Sequence, residues 1–284
     1  MSWNLLGTQT KEGDLVQLVG LRHKHFLVEL KAGQVLHTHR GMIRHDDIIG
    51  IPYGIQVFSH NGSPFFLLQP SLGDVMRDLP RSTQIMYPKD VGFILQSMSI
   101  GPGQHVLEAG TGSGSFTSAL AFAVGATGKV TTYEAREEMQ KKAKENINFL
   151  GLADRVEFKL RNINDGFDER NVDALFLDLP NPYDYVPQVR EALKPGGFFG
   201  TLLPTTNQIQ TTIRALRRAD FAFVDVCEIM MRYYKTEPNR FRPTDRMVAH
   251  TGYLLFGRPV IIDHSAVDEG LMEEAGLGSG QLDE

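Results

Sequence analysis

Over residues 14–69 apolar positions fall in short runs divided by turn residues: DLVQLVG, HFLVEL, QVLHTHR, IQVFSH and PFFLLQP. Lys31-Ala32-Gly33, Gly50 and Asn61-Gly62 supply the breaks, and Asn-Gly is a strong hairpin signal. Five or so short strands in this space predict a small barrel or a curled sheet. From residue 101 the period changes. HVLEAG, KVTTYE, RVEFKL, VDALFLD and GGFFGTLLP have the character of strands. Between them lie the helical SFTSALAFAV, REEMQKKAKENINFLG, PQVREALK (ended by Pro195-Gly196-Gly197) and IQTTIRALRRA. That alternation predicts a parallel, doubly wound sheet. FAFVDVCEIM and TGYLLFGR have no helix between them, which predicts a terminal antiparallel addition. LGDVMRDL and PKDVGFILQSMSI join the two parts as helices, with Pro80 and Pro88 marking starts or breaks.

The pattern predicts a small N-terminal β-domain over 1–72, an α/β domain over 73–262 and a tail over 263–284. The tail alters the charge picture. It holds seven acids and no Lys or Arg, so the net charge of −5 belongs to it, and residues 1–262 carry about +2. A Gly-rich acidic tail of this kind is expected to be disordered. The near-neutral body leaves room for a local phosphate-binding face. Arg22, His23, Lys24 and His25 form one basic cluster, and His37, His39, Arg40, Arg44 and His45 another. Each is either a solvated face or an RNA-contact face. A metal site is disfavoured, because the histidines alternate along strands without cysteine. The single Cys227 sits in an apolar run and is expected to pack, in a reducing compartment. With neither an apolar run of membrane-spanning length nor a signal-peptide pattern, a cytoplasmic protein is expected.

The candidate chemistry begins where the first α/β strand meets Glu108-Ala109-Gly110-Thr111-Gly112-Ser113-Gly114. A glycine-rich turn there lets backbone approach a ligand at the strand ends. A dinucleotide site spaces its glycines G-x-G-x-x-G and seats a pyrophosphate. Here the third glycine comes one residue early, and Glu108 precedes the loop. An acid suits a ligand bearing an ammonium and no phosphate, such as S-adenosylmethionine. Glu134 ends the second strand 24 residues after Gly110, where a carboxylate can accept ribose hydroxyls. A plain tight turn is the competing reading of the loop. Arg161-Asn162-Ile163 at the end of the third strand is placed for the adenine of such a cofactor, or is a strand-end cap.

The fourth strand ends in FLDLPNPYDY. Its carboxyl end faces the same crevice, which places Asp178 near the transferred group. Pro180 and Pro182 stop the strand and stiffen the turn. A strand-ending Asx turn is the structural alternative. A carboxylate here can accept a hydrogen bond from a base's exocyclic amine and stabilise the charge that methylation at ring N1 creates.

RSTQIMYPKDVG, VLEAGTGSGSFT, TTYEAR, FLDLPNPYDYV, LKPGGFFGTLLPTTNQ and MVAHTGYLLFGR resemble the bacterial and archaeal tRNA (adenine-58-N1)-methyltransferase family, as does HTHRGMIRHDDIIG. The resemblance spans roughly residues 10–258. It implies a small N-terminal β-domain on a Rossmann-like class I methyltransferase domain, S-adenosylmethionine as cofactor, tRNA as partner and a homotetramer. It further implies that Asp178 is the catalytic aspartate holding the target adenine. Gln84, Glu108, Gly110, Gly112, Ser113, Gly114, Ser115, Phe116, Glu134, Asn162 and Asp178 itself are expected at the cofactor. Tyr87, Asn181, Arg242 and His250 are expected at the substrate. Packing for Tyr87, a core histidine for His250 and a surface charge for Arg242 are the bland alternatives. The chain departs from the family in having Asn162 where aspartate is common, and Leu202 where some members have tyrosine. An amide can still both donate and accept toward adenine. Three other functions compete: methylation of a different RNA, small molecule or protein; a non-catalytic RNA-binding subunit; and N6 methylation, since Asn181-Pro182-Tyr183 partly resembles an Asn-Pro-Pro-Tyr signature.

Overall fold

The computed structural model describes residues 7–21, 24–80, 85–247 and 249–262. The predicted tail, Gln84, Arg22 and His23 lie outside the described residues. The N-terminal part contains β1 (Leu15–Gly20), β2 (His25–Glu29), β3 (Val35–Thr38), β4 (Gly41–Arg44), β5 (Gln56–Phe58) and β6 (Pro64–Leu68). Four of them make an antiparallel sheet in the order β2-β1-β6-β5, and β3 with β4 forms a separate ribbon. The sheet has β2 and β5 as edges, so it is open rather than a closed barrel. The ribbon covers one face: Ile43 of β4 joins Val16, Leu18, Phe65 and Leu67 in one buried cluster. β1 is buried on both faces. Val16 and Leu18 point into that cluster, while Leu15 joins the core of the larger part, following the period-2 geometry of a strand.

Next come α1 (Leu72–Asp78), α2 (Pro88–Ser97), β7 (His105–Ala109), α3 (Ser115–Val124), β8 (Lys129–Glu134), α4 (Glu137–Phe149), β9 (Val156–Leu160) and β10 (Val172–Leu177). They are followed by α5 (Val186–Ala192), β11 (Leu193–Leu203), α6 (Thr206–Arg218), β12 (Phe221–Cys227), β13 (Tyr234–Lys235), β14 (Arg242–Pro243) and β15 (Tyr253–Pro259). Ser71 starts α1 with a reciprocal capping box to Asp74. Seven strands form one sheet in the order β12-β15-β11-β10-β7-β8-β9. β9, β8, β7, β10 and β11 are parallel, and β15 lies antiparallel between β11 and β12. The expected antiparallel addition is therefore present. One helix differs in extent. The chain leaves α5 at Ala192, and Leu193 already pairs with Val172, so the Pro-Gly-Gly segment belongs to an irregular start of β11.

The sheet is a sandwich filling. Ala174 and Phe176 of β10 pack toward α2 and α3, beside Ile94, Met98, Phe116 and Leu120. Leu175 and Leu177 pack on the opposite face, toward Val186 and Val189 of α5 and Leu216 of α6. Full burial of a side chain such as Phe176 contributes about 1.5–3 kcal/mol. The two-faced burial explains why VDALFL is a continuous apolar run and not an alternating one. The strand order reverses at β7, so a ligand crevice opens beyond the carboxyl ends of β7, β8 and β10.

Candidate active site

Gly110, Gly112 and Gly114 all have positive φ (96°, 54° and 79°), so the loop after β7 coils in the left-handed region. A Cβ on Gly110 would run into the backbone carbonyl of Asp178, and one on Gly114 would press on Ala143 of α4. The N–H of Asp178 donates to the carbonyl of Ala109 at 2.9 Å, which ties the two turns together. The first glycine is thus required by how closely the loop passes the Asp178 turn.

A cavity of about 420 Å³ opens here. Its walls are Ala109, Gly110 and Gly112 of the loop, Tyr133 to Arg136, Arg161 to Ile163, and Asp178, Leu179, Pro180 and Tyr185. That volume is in the range of small-ligand sites. Glu134, buried at the end of β8, accepts the Gly112 N–H at 2.9 Å through Oε2. Its Oε1 accepts from the Arg136 N–H at 3.1 Å and from Nε at 3.0 Å. The half-exposed Arg136 side chain is the partner that a ribose can displace. Asn162 lines the cavity. Its Oδ1 accepts the Asn164 N–H at 2.9 Å, leaving Nδ2 without a partner among the described residues. Arg161 is pinned to Asp168 at 2.8 Å and lies over the Tyr133 ring at 5.3 Å.

Asp178 opens to the cavity with no hydrogen-bond partner for its carboxylate among the described residues. Protein nevertheless crowds the group, and this desolvation pushes its pKa up to about 6.

Several expected cofactor contacts are placed elsewhere. Glu108 does not line the cavity. It shares the face of Val106 and so points under α3, where it is wholly buried. Its Oε2 accepts from Thr117 at 2.6 Å and Thr132 at 2.7 Å, and its Oε1 has no partner among the described residues. Burial pushes its pKa up to about 8, so much of it is neutral at pH 7. It braces the loop from beneath instead of meeting an ammonium. Ser113, Ser115 and Phe116 are likewise buried and face away. The Ser113 carbonyl accepts from Asn146 at 2.8 Å, the Ser115 hydroxyl donates to the Met76 carbonyl at 3.3 Å, and Phe116 packs on Phe176. Gly114 anchors the loop against α4, outside the cavity wall.

Among the expected substrate residues, Asn181 donates to Asp184 at 2.7 Å and does not reach the cavity; Leu179, Pro180 and Tyr185 line it instead. Arg242 pairs with Asp245 at 2.7 Å on the exposed ribbon of β13 and β14. His250 is no core residue: it is exposed, 2.8 Å from Glu228, which raises its pKa, and 3.3 Å from the Pro204 carbonyl. Tyr87, at the N-cap of α2, lines a second cavity. Cys227 is half-buried, and burial raises its thiol pKa, which agrees with a packing role. Sequence reasoning did not single out Tyr133, Arg136 or Tyr185; Arg136, two residues beyond the strand-ending Glu134, was the one with a positional signal.

Residues 65–245 match the family described as the tRNA methyltransferase complex GCD14 subunit, and residues 10–57 match one described as TrmI-like N-terminal. The first match spans more than half of the chain. The chain belongs to this tRNA methyltransferase family. Within it, the chain is 33% identical over 267 residues to the tRNA (adenine(57)-N(1)/adenine(58)-N(1))-methyltransferase TrmI of Methanocaldococcus jannaschii, covering 85% of this chain and 93% of that one. It is 32% identical to the tRNA (adenine(58)-N(1))-methyltransferase TrmI of Thermus thermophilus, covering 81% and 91%. Among solved structures, TrmI from Aquifex aeolicus superposes with a TM-score of 0.76 at 35% identity, covering 89% of this chain and all of that one. A Thermotoga maritima protein described as a SAM-dependent O-methyltransferase superposes at 0.84 with 43% identity, covering 90% and 97%. The chain therefore shares the Rossmann-like methyltransferase fold of these two structures.

Proposed function

We propose that the chain transfers a methyl group from S-adenosylmethionine to N1 of adenine 58 in the T-loop of tRNA. The observation that carries this reading is Asp178: a carboxylate with no hydrogen-bond partner among the described residues, lining a cavity of small-ligand size, in a member of a tRNA methyltransferase family. The residues present fit S-adenosylmethionine. Glu134 can take ribose hydroxyls, and the Asn162 amide nitrogen, unpartnered among the described residues, can donate to adenine. The cofactor supplies an electrophilic methyl group. The chain supplies position and charge. Asp178, when ionised, accepts a hydrogen bond from the amine of the target adenine and aims N1 into the cavity. N1 bears no proton, so no base need remove one before attack. As the ring becomes cationic, the fixed carboxylate stabilises that charge. Pro180, whose carbonyl accepts from Gln208 at 2.7 Å, keeps the turn from relaxing. The division into an N-terminal domain over residues 1–72 and a catalytic domain over 73–262 is part of this reading.

The target lies within folded tRNA, so the base must be extruded, at a cost of a few kcal/mol. A homotetramer gripping one tRNA would supply the contacts, and Phe223 and Val226, exposed on the edge strand β12, support a subunit contact. A cytoplasmic location goes with the reading. The second reading is methylation of another acceptor; the Thermotoga maritima description favours a hydroxyl. A hydroxyl must lose its proton, whereas adenine N1 need not.

Labelled cofactor with tRNA transcripts tests the proposal. Label should enter wild-type tRNA and vanish when adenine 58 is replaced by guanine; the same assay with adenine 57 replaced scores that neighbour. The product nucleoside should rearrange in alkali as an N1-methyladenine does. Undiminished transfer to the guanine transcript, or an alkali-stable methoxy product, would refute the proposal.

A further inference from the structure

The outward face of α6 carries charge that the chain does not neutralise. The helix reads TNQIQTTIRALRR and holds no Asp or Glu. Ile209, Thr212 and Leu216 are buried and set it against the sheet. At 3.6 residues per turn, Asn207, Thr211, Arg214 and Arg218 fall within about 60° of one another on the opposite side, with Gln210 and Arg217 beside them. All six are exposed.

The stripe has a fixed starting point. Gln208, in the first turn, donates to the Pro180 carbonyl at 2.7 Å, and Pro180 walls the Asp178 cavity. The stripe therefore begins beside that cavity and runs from it for about 16 Å, at 1.5 Å per residue from Asn207 to Arg218. Its chemistry names the partner. Arg214, Arg217 and Arg218 have no ion pair among the described residues, whereas the exposed Arg44, Arg77, Arg170 and Arg242 each meet a carboxylate. The helix dipole favours cations in the last turn and so accounts for Arg217 and Arg218, but Arg214 stands before that turn. Guanidinium groups left without carboxylates are matched to phosphates, which they take bidentately. The amides and hydroxyl between them are further donors to a phosphate–sugar backbone. No exposed side chain of α6 is apolar, so a subunit contact there would bury only polar groups.

We propose that the outward face of α6 is a phosphate track, on which the tRNA backbone lies as it approaches the base held at Asp178. The proposal rests on the tRNA reading above. Phosphate contacts carry no sequence information but fix register, so the track holds the strand beside the cavity while the target base is extruded.

The test uses the full-length chain and full-length tRNA transcripts, with tRNA binding by filter retention between about 50 and 200 mM salt and initial methylation rates beside it. A triple variant, Arg214→Gln with Arg217→Gln and Arg218→Gln, should bind tRNA at least about thirtyfold more weakly at the lower salt. Its slope of log affinity against log salt should shrink by about 2–3, close to one unit per arginine. Cofactor affinity, and kcat at saturating tRNA, should stay within about twofold. The same three positions changed to lysine keep the charge and should keep the slope. Arg170→Gln removes an exposed arginine that Glu191 already neutralises, and should leave the slope unaltered. An unaltered slope in the triple glutamine variant overturns the proposal. A lysine variant that falls with it overturns the proposal as well, because charge is then not what the face supplies. A changed mass in light scattering with the slope unaltered overturns it too, since a second copy of the chain is then the occupant. If the wild-type chain neither binds nor methylates tRNA, the tRNA reading falls with it; an indifferent triple variant beside an active wild type removes only the track.

Discussion

Gly110→Ala isolates the contact between the cofactor loop and the Asp178 turn. Gly110 sits at φ 96°, where an L-residue is strained by about 1–2 kcal/mol. Its new methyl group would also collide with the Asp178 carbonyl. That carbonyl cannot retreat freely, because the Asp178 N–H is bonded to Ala109 on the strand below. Overpacking of this kind adds about 1–3 kcal/mol. The sum, about 2–5 kcal/mol, should lower the melting temperature by about 5–15 °C in a chain of this size. Gly196→Ala is the control. It has φ 69° but open space around the new methyl group, so it should lose only the strain, about 2–5 °C. Thermal denaturation with and without S-adenosylmethionine reads both terms. The cofactor should raise the melting temperature of the wild type and of Gly196→Ala, and should fail to rescue Gly110→Ala. If both variants melt alike and both respond to cofactor, the loop and the Asp178 turn are not in contact, and the geometry of the site is wrong.

Three further outcomes follow from the same structure. Because crowding raises Asp178 to about 6, methyl transfer at saturating substrates should fall as pH drops from 7 to 5; a flat kcat profile over that range would show that no such ionisation is required. Glu108 is raised in the folded state to about 8, so the native chain binds more protons than the unfolded one between its unperturbed value and pH 8, and its contribution to stability is lost as pH rises. Glu108→Gln should therefore flatten the fall in melting temperature from pH 5.5 to 8.5; equal slopes in both proteins would contradict a neutral Glu108. Asp90→Ala strands the buried Lys89 ammonium and should destabilise by about 3–5 kcal/mol in denaturant unfolding; a loss below about 1 kcal/mol, the level of a surface pair, would mean that the pair is solvated.

Much of this architecture is legible in the residues. Runs such as VDALFL and HVLEAG, separated by amphipathic segments, mark a doubly wound sheet, and Glu134 and Asp178 are conspicuous because each ends such a run. Strand ends share one crevice, so those two acids could be placed without coordinates. Glu108 is also an acid at a strand end, yet it points under α3. The difference is one of facing: Glu108 stands one residue before the end of β7, and alternation along the strand puts it on the Val106 face, under α3. β4 was missed because GMIR continues a polar turn, and its one core contact is Ile43. The β13–β14 ribbon has two residues per strand, too few for any period. Lys89 is the most instructive omission. A lysine in the first turn of a helix suggests solvent, and only Thr251, 162 residues away, closes it into the interior.

On the function proposed above, Asp178 orients the target adenine and stabilises its developing charge, without being needed to hold the cofactor. Asp178→Asn tests it most directly, with cofactor binding by calorimetry and methyl transfer to tRNA measured on the same preparation. The cofactor Kd should stay within about threefold of wild type while the transfer rate falls by about 10²–10³-fold, as for other lost electrostatic contacts in transition states. Transfer within about tenfold of wild type, or loss of cofactor binding in step with activity, would contradict it.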